Sequence, residues 1–304
     1  MKEEIIERAR DLGFIGIGFT APGKPLYFDR FLSWLSAHRH ADMSWMERNI
    51  EVREDPGLLL KGCNMIVSLA YPYSPKKPYT PDGLSVSRYS QPDKEDYHHR
   101  LKAICGELAS MIKDAYKGSR TRICVDSAPI LERSLAYSSG IGFIGKNSML
   151  IIPGFGSYFF LAEILTTAPV RVTPVKPMKN LCGSCTRCLV ACPTGALERP
   201  FRINASKCLS YLTIENKKDL KDEGKLMQDC FFGCDRCQEV CLFNRDGETR
   251  EIMLPAADAF LNMDRESFSK RFGNTSLARA GIEKIKTNIG AILRQNDTAL
   301  RPRL

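Results

Sequence analysis

The stretch CGSCTRCLVACP, residues 182–193, decides how this chain is read. Its four cysteines keep the spacing C-x2-C-x2-C-x3-C and are followed by proline. Bacterial two-cluster 4Fe–4S proteins use this arrangement, with the fourth Cys serving the other cluster. Thiolate is the soft ligand such clusters require. A short loop containing Gly183 lets three sulfurs converge on one cubane, and Pro193 turns the chain away. A structural zinc site shows two separated Cys pairs instead, so the compact run favours iron.

Working outward, Cys234, Cys237 and Cys241 repeat the spacing of Cys185, Cys188 and Cys192. In that alignment Phe231 stands where Cys182 needs a counterpart. Two residues can supply the missing thiolate: Cys230, beside the gap, and Cys208, upstream. Crossed ligation then places one cluster on Cys182, Cys185, Cys188 and Cys241. The other has Cys192, Cys234, Cys237 and one of the two candidates. A disulfide framework is the weaker account, because nothing suggests secretion and clustered Cys in an intracellular chain favour metal or catalysis. Cys63, Cys105 and Cys124 lie in apolar surroundings and are expected in the core.

The chain has 304 residues, enough for two or three domains. With 43% hydrophobic residues it can bury a substantial core, and 26% charge is ordinary for a soluble protein. The start, MKEEIIERARDLG, is charged and amphipathic, unlike a signal peptide. No apolar run reaches the length of a membrane span, so a cytoplasmic protein with no membrane partner, by default a monomer, is expected. A net charge of +9 suits a polyanionic partner such as RNA without requiring one.

Hydrophobic spacing predicts helices over residues 2–12, 26–40, 97–117 and 130–139, and strands over 14–20, 65–71, 121–125, 149–152 and 158–165. His38 and His40 read as a solvated helix end. The order lacks strict βαβ alternation, which makes the first part α+β. The strand at 121–125 delivers Asp126 next to a helix start, and on its own a carboxylate there is more often an N-cap than a catalytic group. The glycines of GIGFIGKNSML, residues 140–150, do not form a dinucleotide fingerprint. Residues 167–180 carry three prolines and read as a linker. The expected organisation is an α+β domain over 1–175, a ferredoxin-like cluster domain over 176–250 and a basic helical segment over 251–304. The last reads as a helix pair with Leu277, Ile282, Ile285, Ile289 and Leu293 on its apolar side.

About 175 residues precede the cluster motif, far more than an electron carrier needs. Clusters beside a large α+β domain imply a second cofactor or a substrate held there. No P-loop, dinucleotide fingerprint or D-x-H-x-x-G corrinoid motif says which.

A resemblance does. The segments VREDPGLLLKGCNMIVSLAYPY (52–73), SRYS…DYHHRLK (87–102), VDSAPILERSLAYSSGIGFIGKNSML (125–150), CGSCTRCLVACPTGAL (182–197), KCLSYLTIENK (207–217) and FGCDRCQEVCLFN (232–244) together resemble the epoxyqueuosine reductase family of tRNA modification. They cover most of residues 1–290. The resemblance implies a nitroreductase-like domain binding cobalamin, base-off, against a ferredoxin-like domain with two 4Fe–4S clusters and a short helical C-terminal cap. It implies Cys208 as the missing cluster ligand and Cys230 as a bystander. It also implies Asp126, in the D-x-x-P-x-L-E motif, as the proton donor, against the cap reading. Arg53, Tyr89, Lys146, Asn147 and Ser148 fall in segments that line the corrin or substrate pocket.

The implied reaction is a two-electron reduction of epoxyqueuosine to queuosine at the wobble position of tRNA, fed by a low-potential electron donor. Protonating the departing oxygen calls for an acid near the operating pH, so burial is expected to raise the Asp126 pKa. Two departures stand out. Cys241 is followed by Leu242 where the family has proline, and the C-terminal helical repeats of longer members are reduced to about one helix pair. Arg279, Lys284 and Lys286 are therefore expected to carry more of the tRNA contact. The alternatives are a corrinoid reductase of a small molecule such as an organohalide, and a two-cluster electron carrier.

Overall fold

The computed structural model describes residues 2–218, 222–244 and 251–299. The expected end of the cluster domain, at 245–250, and the last five residues lie outside them. Helix α1 (Lys2–Asp11) carries Glu3 and Glu4 in its first turn and Arg8 and Arg10 in its last, matching the helix dipole, and buries Ile5 and Ala9 one turn apart. It stops before Gly13, whose φ of +91° suits a residue without Cβ. The chain returns as β1 (Gly16–Thr20).

Three more strands complete an antiparallel sheet: β2 (Met65–Pro72), β3 (Thr121–Cys124) and β4 (Phe159–Thr166), in the order β1-β2-β4-β3. Gly16 opposes Ala70, Met65 opposes Thr166, and Cys124 opposes Glu163. The central strands are buried almost throughout, so side chains alternate between two covered faces. Met65, Val67 and Leu69 face a core shared with α1 and with α3 (Tyr97–Ala115). Ile66 and Ala70 face the other way, toward Leu135 and Ala136 of α4 (Glu132–Ser138). Cys105 and Cys124 are buried as expected, while Cys63 is half-buried.

The second core ignores chain order. Leu84 and Val86 pack with Leu209 and Tyr211 of α5 (Leu209–Ile214), with Phe231 and Phe232, and with the C-terminal helices α6 (Arg265–Phe272) and α7 (Gly281–Ala299). A short parallel ladder sets Cys230 against Ser85 and Phe232 against Val86. Buried Asn288 of α7 donates to the carbonyls of Thr213 and Phe231. Residues 84–86, the cluster segment and the C-terminal helices therefore share one interior. Residues 167–180 hold no regular element.

Several expected elements are shorter: the strand expected over 149–152 is Leu150–Ile151, and the helix expected over 130–139 is Glu132–Ser138. Helix α2 spans Phe28–Ser36 and not 26–40. His38 turns left-handed at φ +50°, which breaks the helix. His40 is not solvated: its ring lies 5.8 Å from that of Trp34, and its Nε2 is 2.9 Å from Glu47. Among the described residues no helix is long and apolar enough to cross a membrane.

Candidate active site and cluster loops

A cavity of 840 Å³ opens between the face of α4 and the C-terminal segment. Its walls include Tyr27, Phe31, Trp34, Trp45 and Tyr137, with the guanidinium groups of Arg30, Arg53, Arg133 and Arg279 among them. Arg53 comes from the short helix Ile50–Glu54, is almost fully buried, and donates to the carbonyls of Trp45 and Arg48. Its guanidinium lies over Phe31, 5.7 Å from the ring centre. Arg279, from the C-terminal segment, is ion-paired with Glu215 and faces the Trp45 ring at 6.0 Å.

Asp126 sits on this wall, half-exposed into the cavity. Its Oδ2 accepts the Tyr97 hydroxyl at 3.0 Å and lies 3.1 Å from His98 Nε2. His98 Nδ1 is 2.6 Å from Asp96, so the imidazole is held between two carboxylates. The Tyr97 ring is fixed by stacking on Phe160, 4.2 Å between centres. Burial alone pushes the Asp126 carboxyl up, but the hydrogen bond and charge of His98, with Tyr97 and Arg279, outweigh it and hold the group below the ordinary aspartate value. This corrects the expected upward shift. Burial pulls His98 down, yet Asp126 and Asp96 outweigh that and raise it above its usual value. At rest the proton of this pair therefore sits on histidine.

The cysteines gather in two groups. Cys182 and Cys185 neighbour both Cys188 and Cys241, and their charges raise those thiols beyond what burial does. Cys237, raised first by burial, also feels Cys234, Cys208 and Cys192. Cys208 feels Cys192 in turn, and Cys234 is pushed up to about 12 by burial, with Cys230 and Cys208 adding to it. Cys208 thus adjoins three members of its group. The Cys230 thiol is fully buried and points at the carbonyls of Phe232 and Gly233. One cysteine of each group lies in a short helical turn, Cys188 in Arg187–Val190 and Cys237 in Arg236–Glu239.

The pocket residues inferred from sequence divide. Arg53, Asp126 and Ser148 line the cavity. Lys146 turns away from it and donates to the carbonyls of Gly183 and Cys185, at 2.6 and 2.8 Å. Asn147 is buried and donates to Cys237 O at 3.2 Å. The turn at 145–149 reverses direction at Ser148, φ +66°, which is why adjacent residues face different partners. Tyr89 stands behind Tyr97, edge-on at 6.4 Å, and against Phe232. Sequence reasoning missed His98, Tyr97 and Glu132. His98 was visible only as half of a His-His pair, and Glu132 as the last letter of the D-x-x-P-x-L-E segment. Of the basic residues assigned to an RNA-contacting face, Arg279 reaches the cavity and Lys284 donates to Lys218 O.

Comparison with known proteins identifies the family and two matched regions of the chain. Residues 181–244 match the model of a 4Fe-4S double cluster binding domain, and residues 53–127 match the model described as "Epoxyqueuosine reductase QueG, DUF1730". A curated epoxyqueuosine reductase from Cyclobacterium marinum is 38% identical over 266 residues, 84% of this chain and 85% of that protein. A crystal structure of epoxyqueuosine reductase with an epoxyqueuosine-modified tRNA-Tyr stem loop superposes with TM-score 0.85 at 33% identity, covering 96% of this chain and 80% of that one. A Bacillus subtilis epoxyqueuosine reductase structure, described as having its catalytic aspartate loop swung out of the active site, superposes with TM-score 0.83 at 32% identity, covering 96% and 80%.

Proposed function

Since the chain belongs to the epoxyqueuosine reductase family, we propose that it reduces epoxyqueuosine to queuosine at the wobble position of tRNA, using cobalamin and two 4Fe–4S clusters. The observation that carries the reading is Asp126, held by His98 and Tyr97 on the wall of a large aromatic cavity whose Ser148 adjoins the residues bonded to the two cysteine loops. Both carbon–oxygen bonds of the epoxide are lost, a carbon–carbon double bond forms, and the oxygen leaves as water. The balance takes two electrons and two protons per turnover.

The cavity suits a corrin: it lies near the upper end of the size range of small-molecule sites, and five aromatic rings offer flat apolar walls. Arg30, Arg53 and Ser148 would meet the ring's polar periphery. Bound there, cobalamin would supply a strongly reducing cobalt centre for the epoxide. A nitroreductase-like plan for the first domain belongs to the same reading.

The clusters would be held by Cys182, Cys185, Cys188 and Cys241, and by Cys192, Cys208, Cys234 and Cys237. Lys146 and Asn147 tie one loop of each set to the segment that ends at Ser148 on the cavity wall, which fixes the clusters relative to the reaction site. His98 stores one of the two protons, which Asp126 passes to the departing oxygen, and solvent supplies the other. The wobble base must leave its stack to enter, as expected for recognition of a single-stranded loop.

The test is anaerobic. The reconstituted protein, with cobalamin and a low-potential reductant, is incubated with tRNA bearing epoxyqueuosine, and the nucleosides are weighed after digestion. Loss of one oxygen from the modified base supports the reading; an unchanged nucleoside, with clusters and cobalamin shown to be bound, rejects it.

A further inference from the structure

Beneath Asp126 lies a pair of carboxyls that the proposed reaction does not use. Asp126 is a non-glycine residue in the left-handed region, φ +54°, a conformation disfavoured for any residue with a Cβ. Its backbone N–H is received by Glu132 Oε1 at 2.6 Å. The other backbone bonds of this turn, Ser127 N to Val125 O and Ile130 N to Ala128 O, are internal to it. Behind Glu132, on β4, stands Glu163, which is fully buried. Neither Glu163 oxygen meets a partner with regular hydrogen-bond geometry, and burial together with adjacent Glu132 keeps its carboxyl neutral. In the Bacillus subtilis relative the catalytic aspartate loop has been found swung out, so what holds the equivalent turn inward bears on catalysis.

We propose that Glu132 is the positioning residue of Asp126: it latches the left-handed turn that aims the carboxylate at His98 and Tyr97, with Glu163 packed behind it. The catalytic consequence rests on Asp126 being the proton donor; the latch itself does not.

The latch carries a pH signature. Burial first, then the charge of Asp126, push Glu132 up to about 8. The groups facing it are Asp126 on the turn, Arg133 on its own helix, His98 and Tyr97 on α3, Cys124 on β3 and Glu163 on β4. A carboxylate accepts an N–H more strongly than a neutral carboxyl. The turn therefore tightens as pH rises through that value.

Hydrogen exchange of the Asp126 amide in the cluster-reconstituted protein, corrected for intrinsic rate, tests this. At pH 9, where the acceptor is charged, Glu132→Ala should exchange about tenfold faster, the scale of one lost hydrogen bond to a charged acceptor, and lose about tenfold in kcat with KM little changed. Glu132→Gln keeps an acceptor and should restore protection at pH 7. Its protection should stay flat from pH 7 to 9, where the wild type rises. Wild-type protection in Glu132→Ala overturns the latch, and wild-type kcat there overturns its catalytic consequence. Should that variant fail to fold, a wild-type pH profile as flat as that of Glu132→Gln overturns it instead. Asp126→Asn separates the two readings: wild-type turnover there removes the acid assignment, while the exchange data still decide the latch.

Discussion

Asp126 shows what a residue's neighbours do to its chemistry. Its type and its place after a strand were legible in sequence, but the direction of its pKa was not. His98 lies 28 residues upstream and meets it only because α3 packs against the sheet. An isolated buried carboxyl rises; one beside an imidazolium falls. The two groups titrate as a pair, so the transferable proton belongs to both. That proton is lost as pH rises through the histidine value, which lies above its ordinary 6.5. Turnover measured against pH should therefore fall on the alkaline side along that limb. His98→Gln should abolish the limb and slow the reaction at every pH; an unchanged profile would place the proton elsewhere. Asp126→Asn should bind the same tRNA and lose about 10²–10⁴ in kcat, the usual contribution of a positioned acid.

At the scale of elements, the cluster loops were the most legible part of the chain, because ligand spacing within a loop is a local property. The fourth ligand proposed for the second group is not local. Cys230 is nearer in sequence to the gap, yet its strand pairs with Ser85, and this directs its thiol to the carbonyls of Phe232 and Gly233. Cys208, capping α5, comes beside Cys192 and Cys237. Cys208→Ser should lose the iron of one cluster by metal analysis and weaken the charge-transfer absorbance to match, whereas Cys230→Ser should keep both. Iron loss in the Cys230 variant alone would reverse the ligand choice. The same distinction explains Lys146 and Asn147. Their polarity was visible, but the turn that sends one to each cluster loop, and Ser148 to the cavity, depends on the packing of 145–149 between two loops distant in sequence.

For the molecule as a whole, the sheet's buried carboxyls set how stability responds to pH. The strand over 158–165 was readable, but not that Glu163 shares with Phe159, Leu161 and Leu165 the face that α4 covers, because periodicity alone does not say which face is buried when both are. Burial raises Glu163 well above the ordinary glutamate value of 4.5, and Glu132 to about 8. The unfolded chain releases these protons near 4.5, while the folded chain keeps them. The folded state then binds more protons, and stability falls as pH rises from about 4.5 toward and beyond 8. Asp126, Asp229 and Glu239, held low by their partners, act in the opposite sense: their contribution is present above their unfolded values and fades only in acid. The two sets act in different windows, so they can be separated. Glu163→Gln removes a titrating group without removing its bulk. Thermal melts of wild type and variant should coincide near pH 4.5, and the variant should melt progressively higher than wild type toward pH 9. Parallel curves across that range would mean that Glu163 keeps a solvent-like pKa, and that the sheet reaches water where the fold shows none.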